Sequence, residues 1–350
     1  MIENNLVKSL NLEDVIINED MGFYGAYKVF SDYIGLSKIP KFFYGRFLHS
    51  WFPKELNVYP ELIIGSFSRK NIRQYVDRKD QQDFLKKKGF KNIHSIGNPI
   101  IYTKKLEKVR VKNSLLIMPY HFHYLKNTSL DKTDNDYAIF LRKFIRKFDL
   151  VCLCLHSENY KNKKNYSKLR NLIPNIIQGA NMYDINSYYR MARLFSLFEY
   201  VTSNEFGSHV AYASFFGCKV SVVGPNNKLS KKELLRHPGY NIKKNQPEIT
   251  INSRIIDYWY SIYKKEMMFK WYCMFKCNPN DAKQNIKWGA EQLGCENKKT
   301  PNDLKELFCI DMTYKKLFII FKEDKIIFIK GILIRLNLYN FFKYIFYLFK

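Results

Sequence analysis

A turn between a predicted strand and a predicted helix carries the groups best suited to hold an anion. It runs Thr202-Ser203-Asn204-Glu205-Phe206-Gly207-Ser208-His209. Gly207 has no side chain, so a ligand can approach the backbone closely there. The free N–H groups of the next helix turn, with the Ser208 hydroxyl, would bind a diphosphate or a phosphodiester. The alternative is an ordinary turn in which Ser208 only caps the helix.

Two strand ends nearer the N-terminus carry groups that could remove a proton. Glu19 and Asp20 precede Gly22, and a carboxylate at a strand end suits a general base acting on an acceptor hydroxyl. The alternative is a solvated acid that favours the start of the next helix. His49 follows another predicted strand and precedes Trp51, and a lone histidine fits either a base or a structural role.

Further candidates lie near the predicted junction of the two halves. His121 and His123 follow the first predicted strand of the C-terminal half, without an acidic or Cys partner at a spacing that suits a metal. We therefore expect His121 to contact a phosphate or a sugar. Asn98, in Gly97-Asn98-Pro99, lies where the first half would face a cleft.

These side chains need a framework that brings strand ends together. In the first half, the sequence pattern predicts strands at 15–17, 42–48, 62–64 and 92–96, and helices at 24–33 and 78–88. In the second half, the pattern predicts strands at 114–118, 150–155, 175–177, 200–202 and 219–223, and helices at 136–148, 185–198 and 207–216. This alternation favours parallel sheets covered by helices, which bind ligands at the carboxyl ends of their strands.

A charged stretch without apolar period, 104–113, predicts a link between two lobes. We expect an N-terminal lobe over 1–105, a C-terminal lobe with a helical cover over 113–311, and a tail over 312–350. From 314 to 350 the chain is apolar, aromatic and basic. That composition suits a helix on an anionic membrane surface. The alternative is a terminal hairpin and helix packed on the core.

Composition and missing motifs exclude several classes of protein. The 350 residues carry 58 Lys+Arg and 32 Asp+Glu, a net charge of +26, with 46% hydrophobic and 17% aromatic residues, which excludes a disordered chain. No apolar run is long enough to span a bilayer, and the polar start does not predict a signal peptide. The sequence lacks the glycine motifs of P-loop NTPases, classical dehydrogenases and serine hydrolases. Seven cysteines, an odd number, favour a reducing compartment.

Several stretches resemble bacterial surface-polysaccharide glycosyltransferases of the GT-B fold. The run from Tyr200 to Tyr212, with Gly217-Cys218-Lys219-Val220 after it, resembles their nucleotide-sugar lobe. Leu293 to Lys299 resembles their closing helical segment. Other matching stretches are 49–53, 78–81 with the run to 96–99, and 118–121, so the resemblance covers residues 12–311.

The resemblance implies two Rossmann-like lobes with the active site between them, and sugar transfer without a metal or another cofactor. The donor would be a nucleotide sugar, bound by the second lobe through His121, Ser203, Asn204, Gly207, Ser208 and His209. The acceptor, a glycan or a lipid-linked glycan, would lie against Gly22, Trp51 and Asn98. Asp20 or His49 would be the base, with Glu19 beside it. The enzyme would be cytoplasmic, on the inner face of the bacterial cell membrane.

Other functions stay open at this point. Glu19-Asp20-Met21-Gly22 is loosely similar to an acidic-acidic-Gly motif of bacterial GT-B sialyltransferases, with Met21 interrupting it, so a CMP-sugar is one possible donor. A second enzyme class is a transferase of polyol phosphate from a CDP-activated donor. A third hypothesis is a nucleic-acid-binding protein, which the charge motivates, although the cations are diffuse and no recognition motif is present. We expect no nucleic acid partner. A fourth is an inactive scaffold on a membrane.

Overall fold

The computed structural model describes residues 10–18, 22–40, 43–48, 60, 63, 70–104, 110–119, 128–225, 267–310 and 329. Within these ranges the chain forms two separate sheets, one with three strands and one with six, and helices cover them. We call the three-stranded sheet with its helices the first lobe and the six-stranded sheet with its helices the second lobe. The predicted α/β fold with parallel strands and covering helices in two lobes is confirmed.

The first lobe is built on three short parallel strands in the order β1-β2-β3. They are β1 (Arg46–Phe47), β2 (Gln74–Val76) and β3 (Ile93–Ser95). Helix α1 spans Ala26–Tyr33, and α2 spans Lys79–Lys87. The Gln81 side chain accepts the backbone N–H of Asp77 and of Arg78, which fixes the start of α2 at the end of β2. Gly89, at φ +88°, lets the chain turn back after that helix.

The second lobe has five parallel strands and one antiparallel edge strand. The parallel strands are β4 (Val111–Ile117), β5 (Leu150–Leu155), β6 (Ile176–Gln178), β7 (Phe198–Ser203) and β8 (Lys219–Val222), and the edge strand is β9 (Lys283–Gln284). Their order is β6-β5-β4-β7-β8-β9. Counted along the chain, the parallel strands follow the order 3-2-1-4-5 of a doubly wound Rossmann-like sheet, so the winding direction reverses between β4 and β7.

The helices of the second lobe lie on both faces of this sheet. They are α3 (Thr128–Arg142), α4 (Ser157–Lys161), α5 (Ser167–Leu172), α6 (Ser187–Leu197), α7 (Ser208–Phe216), α8 (Met267–Phe275) and α9 (Ile286–Gln292). A last helix, α10 (Pro301–Leu307), ends against the first lobe, where the Tyr75 hydroxyl donates to the Leu307 carbonyl. Short 3₁₀ turns occupy 23–25, 99–102, 145–147, 279–281 and 295–297. One apolar core lies between the sheet and α3 with α5. The other lies on the opposite face, under α6 and α7. β5, with the sequence LVCLCL, is continuously apolar, as expected for a strand between two covered faces.

The second core continues from the second lobe into the first. Tyr188 and Met191 of α6 belong to the same buried cluster as Phe30 of α1 and Ile100. Gly25 makes the approach possible, because a Cβ there would lie 1.9 Å from the Ile185 carbonyl oxygen. The lobes are therefore packed against each other through apolar side chains as well as through their strand ends.

The N-terminal residues 10–18 pack on the second lobe, and Phe308, near the C-terminal end of the chain, packs in the first lobe. Residues 10–18 are held by the second lobe, where Asn186 and Arg190 donate to their carbonyl groups. Near the other end, Phe308 packs in the first lobe at 5.0 Å from Phe30 and 5.1 Å from Tyr75, ring centre to ring centre. The boundary placed at 311 stays a prediction, but α10 and Phe308 contribute to the first lobe.

Two predicted strands are wrong. Val15, Ile16 and Ile17 are exposed, and they make a single antiparallel bridge, between Ile17 and Asp184. Ile63, the one described residue of 62–64, is helical and buried. Of the predicted tail, only Ile329 lies within the described residues. In the described ranges, no helix has the length and apolar character that a bilayer span requires.

Candidate functional site

Two segments predicted to bind the donor, the one after β4 and the turn after β7, begin side by side where the strand order reverses. β4 leads into Met118, whose N–H donates to the carbonyl of Thr202 in β7 at 2.8 Å. β7 leads into the 203–207 turn. In open α/β sheets this position, beyond the carboxyl ends of the strands, is where ligands bind. The predicted anion-binding turn therefore lies where the fold provides a crevice.

The side chains of this turn are hydrogen-bonded within the second lobe. The Ser203 hydroxyl donates to the Glu205 carbonyl at 2.9 Å. The Asn204 amide donates to the Pro225 carbonyl at 2.9 Å, which ties the end of β7 to the segment after β8. Both residues are buried. They support the turn in this structure, and their contact with a donor stays a prediction.

Glu205 is a buried carboxylate that was not singled out from the sequence. One of its oxygens, Oε1, accepts the backbone N–H of Phe206 at 2.9 Å and the hydroxyl of Tyr272 at 3.2 Å. Tyr272 comes from α8, which is distant in sequence. The carboxylate thus fixes the end of the turn just before helix α7 begins.

Helix α7 begins at Ser208 and has open N–H groups in its first turn. Gly207 precedes it in an extended conformation, and no side chain of the described residues caps the helix. The interpretation of Ser208 as the capping residue is therefore wrong, because Ser208 is itself the first helical residue. The N–H groups of Ser208 and His209 have no acceptor inside the helix, and they point out of its positive end.

His209 lies over Gly207 at this helix start. A Cβ on Gly207 would lie 2.9 Å from the imidazole Nδ1, so the glycine is required by the ring rather than by its own extended backbone. The imidazole bonds to the backbone of Glu205, and Nε2 is sealed from solvent without a partner in the part of the chain that the structure describes. Removal from solvent lowers the pKa of His209 to about 4, so the ring is neutral at physiological pH.

Opposite this turn, the strand ends of the first lobe present Asp77 and Asn98. Asp77 follows β2, Asn98 follows β3, and the Asn98 amide donates to Asp77 Oδ2 at 3.1 Å. Burial raises the pKa of the Asp77 carboxyl to about 7, against the bond from Asn98 and the charge of Arg78. Asn98 is buried and lies close to Tyr212 of α7, and its contact with an acceptor stays a prediction.

Two tyrosines complete this polar cluster from the second lobe. Tyr188 lies in the first turn of α6, and Tyr212 lies one turn after Ser208 in α7. The Tyr212 hydroxyl is within hydrogen-bonding reach of both Tyr188 and Asn98, and burial raises the pKa of both phenols. None of the three residues Asp77, Tyr188 and Tyr212 was predicted. The sequence signal that could have indicated Asp77 is its position directly after the apolar pair Tyr75-Val76, where a strand could end.

Gly22, the predicted acceptor-side residue, has a backbone that favours glycine. Its φ is +72°, and a Cβ there would lie 2.8 Å from the Tyr27 ring. The described residues on either side of 19–21 are both bonded to the second lobe. Asn18 donates to the Tyr183 carbonyl at 2.8 Å, and Tyr24 donates to the Met182 carbonyl at 2.8 Å.

Several predicted site residues lie outside the described residues: Glu19, Asp20, His49, Trp51 and His121. Their roles stay predictions. Among the described residues, no group of three or more His, Cys, Asp or Glu side chains could hold a metal ion.

Comparisons with known proteins give two distant likenesses. No protein-family model and no curated protein matches the chain. Among solved structures, it is similar to UDP-GlcNAc 2-epimerase from Neisseria meningitidis bound to UDP-GlcNAc, at 14% identity and a TM-score of 0.30, over 55% of this chain and 62% of the epimerase. It is also similar to a single-residue variant of TarM from S. aureus in complex with fondaparinux, alpha-GlcNAc-glycerol and UDP, at 15% identity and a TM-score of 0.28, over 73% of this chain and 45% of TarM. The chain thus spans less than two thirds of either matched chain, and such low TM-scores assign it no activity.

Proposed function

We propose that this chain is a glycosyltransferase that moves a sugar from a nucleotide-sugar donor to a glycan or lipid-linked acceptor without a metal. One observation carries the proposal. A helix with open first-turn N–H groups begins where the strand order of a Rossmann-ordered sheet reverses, and the strand ends of another lobe face it. The open N–H groups of the helix suit an anionic leaving group. The strand ends of the first lobe suit an acceptor.

In this proposal the diphosphate of the donor lies against the start of α7. The N–H groups of Ser208 and His209 bond to phosphate oxygens, and the Ser208 hydroxyl adds a further donor. His209 is neutral and its imidazole bonds to the Glu205 backbone, so in this proposal the ring supports the helix start and adds no charge. Donors that are already oriented stabilise the charge that develops on the leaving nucleotide, and one such donor contributes about 3 kcal/mol. His121 would add a contact from the end of β4.

The first lobe supplies the acceptor side. Asp20 or His49 takes the proton from the acceptor hydroxyl as it attacks the anomeric carbon, and Glu19 lies beside them in sequence. Trp51 and Gly22 border the acceptor. The transfer needs no covalent intermediate in this scheme.

The biological setting that we propose follows from the resemblance and the tail. The chain would act in bacterial surface-polysaccharide synthesis, such as capsule or lipopolysaccharide, in the cytoplasm. Residues 314–350 would bind the anionic inner face of the cell membrane, because cations near such a surface contribute about 1 kcal/mol each. A lipid-linked acceptor would be presented at that surface.

A thermal-shift panel of CMP, CDP, UDP, GDP and their sugars tests the donor site. A nucleotide at about 100 times its Kd adds about 2.7 kcal/mol of stability and raises Tm by several degrees. Gly207→Val should abolish the shift, because its side chain must displace His209 from the helix start. Gly35→Val is the control for a side chain added in open space, since no atom lies within 4 Å of the Cβ position at Gly35; its φ of +76° strains the variant, unlike the extended Gly207.

The panel also separates the enzyme classes. Stabilisation by a nucleotide sugar and release of its nucleotide in the presence of acceptor support sugar transfer. Transfer of a phosphate with the polyol from a CDP-activated donor would support the other enzyme class. If no nucleotide stabilises the wild-type protein, the donor site proposed at α7 is wrong.

A further inference from the structure

Five exposed apolar side chains lie together near the predicted acceptor residue Gly22. They belong to two stretches that run side by side, since Asn18 donates to the Tyr183 carbonyl at 2.8 Å and Ile17 makes an antiparallel bridge to Asp184. Large apolar side chains that are exposed as a group mark a contact surface, whereas single ones are ordinary. The group, which we call the apolar strip, consists of Val15, Ile16, Ile17, Phe23 and Tyr183.

The apolar strip lies at the edge of the contact between the lobes. Tyr24, directly after Phe23 of the strip, donates its N–H to the Met182 carbonyl, and its ring centre lies 6.0 Å from that of Tyr188 in α6. Tyr188 belongs to the core that the two lobes share. In sequence, the strip lies on both sides of Glu19 and Asp20. A surface that binds the strip would therefore lie beside the acceptor side of the cleft.

A cationic stretch follows α4 close to the strip. The first turn of α4 adjoins the strip, because Ser157 donates to the Ala180 carbonyl at 3.1 Å, and because burial and then the charge of Glu158 raise the pKa of Tyr24. α4 has five residues, so its last residue lies only about 6 Å from its first along the axis. Residues 161–170, which we call the basic segment, carry five cations and no acid: Lys161, Lys163, Lys164, Lys168 and Arg170.

Hydrogen bonds fix the backbone of the basic segment. The Arg170 guanidinium donates to the carbonyls of Asn165 at 2.9 Å, Asn159 at 2.7 Å and Tyr160 at 3.0 Å. The Asn165 amide also donates to Asn159 Oδ1 at 2.8 Å. The four lysines of the segment are exposed. The fold thus holds four like charges together at the surface, although they repel one another.

These features fit a lipid surface better than a protein partner. A specific protein interface needs about 20–30 residues on each side, whereas a bilayer contact needs a few apolar side chains with cations beside them. A second copy of this chain would bring a further net charge of +26 against the lysines. Two exposed acids, Asp14 and Glu158, adjoin the strip, and the five cations outnumber them. Charge and size therefore both favour an anionic bilayer.

We propose that the apolar strip enters the headgroup region of an anionic bilayer while the basic segment binds the lipid phosphates. This contact is separate from the one proposed for 314–350, and it places the side of the cleft that carries Gly22 at the membrane surface. Only its role, the presentation of a lipid-linked acceptor, rests on the proposed function. The contact itself needs neither donor nor acceptor.

Vesicle binding by the full chain tests the contributions of the strip. The partition coefficient is measured by co-sedimentation with vesicles of equal parts phosphatidylglycerol and phosphatidylcholine. Val15→Ser, Ile17→Ser and Phe23→Ser together should lower it at least about tenfold, because the bilayer no longer buries their apolar surface. A matched control set in the second lobe should change it less than about threefold, since the six side chains are all 38% to 52% exposed. The control set is Val111→Ser, Met274→Ser and Ile286→Ser.

The basic segment is tested by neutralising three of its lysines. The combined Lys161→Gln, Lys163→Gln and Lys164→Gln variant should lose roughly tenfold to a hundredfold in partition into the anionic vesicles. The control removes the same charge from three exposed lysines at the end of α2 in the first lobe, and it should lose less than about threefold. That control is Lys86→Gln, Lys87→Gln and Lys88→Gln.

Ile17→Trp separates this contact from the tail, because it keeps an apolar side chain in the strip. Brominated acyl chains should quench its added emission and leave that of Ile286→Trp unchanged, and the four native tryptophans give the same background in both variants. Equal quenching in both variants, or none in Ile17→Trp, would overturn the proposal even if the serine variants did not fold.

The remaining outcomes are also decisive. Strip or lysine variants that bind vesicles as well as their controls would contradict the proposal, and so would a wild-type protein that binds no vesicles. Dimers in light scattering that the three strip serines abolish would assign the strip to a second copy instead. Because no nucleotide is added, failure here is distinguishable from failure of donor binding at α7.

Discussion

Arg190 should be one of the most stabilising charged residues of this chain. It is 2% exposed, and its Nη1 donates to Asp184, which is fully buried. Its Nε and Nη2 donate to the Glu13 carbonyl at 3.0 and 2.7 Å. Asp184 in turn accepts the N–H of Ile16 at 3.0 Å. The pair therefore holds residues 10–18, the stretch that leads to the predicted catalytic acids, on the second lobe.

Arg190→Leu removes this support and leaves a buried carboxylate without its cation. Breaking a buried ion pair costs about 3–5 kcal/mol. Two backbone N–H groups, of Ile16 and Asn186, still bond to Asp184 and moderate the loss. The Glu13 carbonyl loses both donors, which adds about 1 kcal/mol. We therefore expect a decrease of about 4 kcal/mol in the free energy of unfolding.

Urea unfolding followed by circular dichroism and by fluorescence gives the comparison. The matched control is Lys79→Met, because Lys79 and Asp83 form a pair at 2.7 Å whose side chains are 58% and 49% exposed. That variant should lose at most about 1 kcal/mol. Adding Asp184→Leu to Arg190→Leu should recover part of the loss, since the unpaired charge is then gone. If Arg190→Leu were no less stable than Lys79→Met, the conclusion that the buried Arg190–Asp184 pair stabilises the fold would be refuted.

Two further predictions concern the C-terminal segment. Gly294→Ala should lower stability by about 2–4 kcal/mol in the same urea assay, because the new Cβ would lie 2.0 Å from the Asp77 carbonyl oxygen at a φ of +65°. Gly35→Ala, with φ +76° and open space, should lose only about 1 kcal/mol, and equal losses would contradict the packing described at Gly294. Thr300→Ala should cost about 1 kcal/mol, since the Thr300 hydroxyl and the Asp303 carboxylate cap helix α10 reciprocally; an unchanged unfolding midpoint would show that the cap contributes nothing.

The second lobe could be predicted from sequence because its signals are local. The apolar run at 150–155 is strand β5 with the same bounds, and the helix expected at 207–216 is α7, shorter by one residue. At α10 the signal is equally local, since Thr300 is the capping residue and Pro301 the first helical residue. In each case a run of apolar residues or a capping group lies within the element itself.

The first lobe shows where local signals fail. Three β-branched or apolar residues at 15–17 resemble a buried strand, yet they are 42–52% exposed because their backbone is held by Asp184 and Ile185 rather than by a sheet. β2 was not predicted, because Gln74 is polar and only Tyr75 and Val76 continue the run. Gln74 is nevertheless 2% exposed, since β2 lies between two other strands. In both cases the exposure of the residues depends on tertiary contacts, which a local sequence pattern does not contain.

The polar cluster between the lobes could not be predicted for a related reason. Asp77, Asn98 and Tyr212 lie on three elements, and their proximity depends on how the lobes meet. The sequence indicated Asn98 because it follows a glycine at a strand end. It gave no reason to place a tyrosine from the middle of α7 beside it. Only the contact itself converts a strand-end acid into a buried group whose pKa is raised to about 7.

The crossed ends of the chain join the two lobes independently of the polar cluster. Arg190 holds residues 10–18 on the second lobe, and Phe308 packs in the aromatic core of the first. Each contact joins residues that are far apart in sequence, so neither could be predicted from a local run of residues.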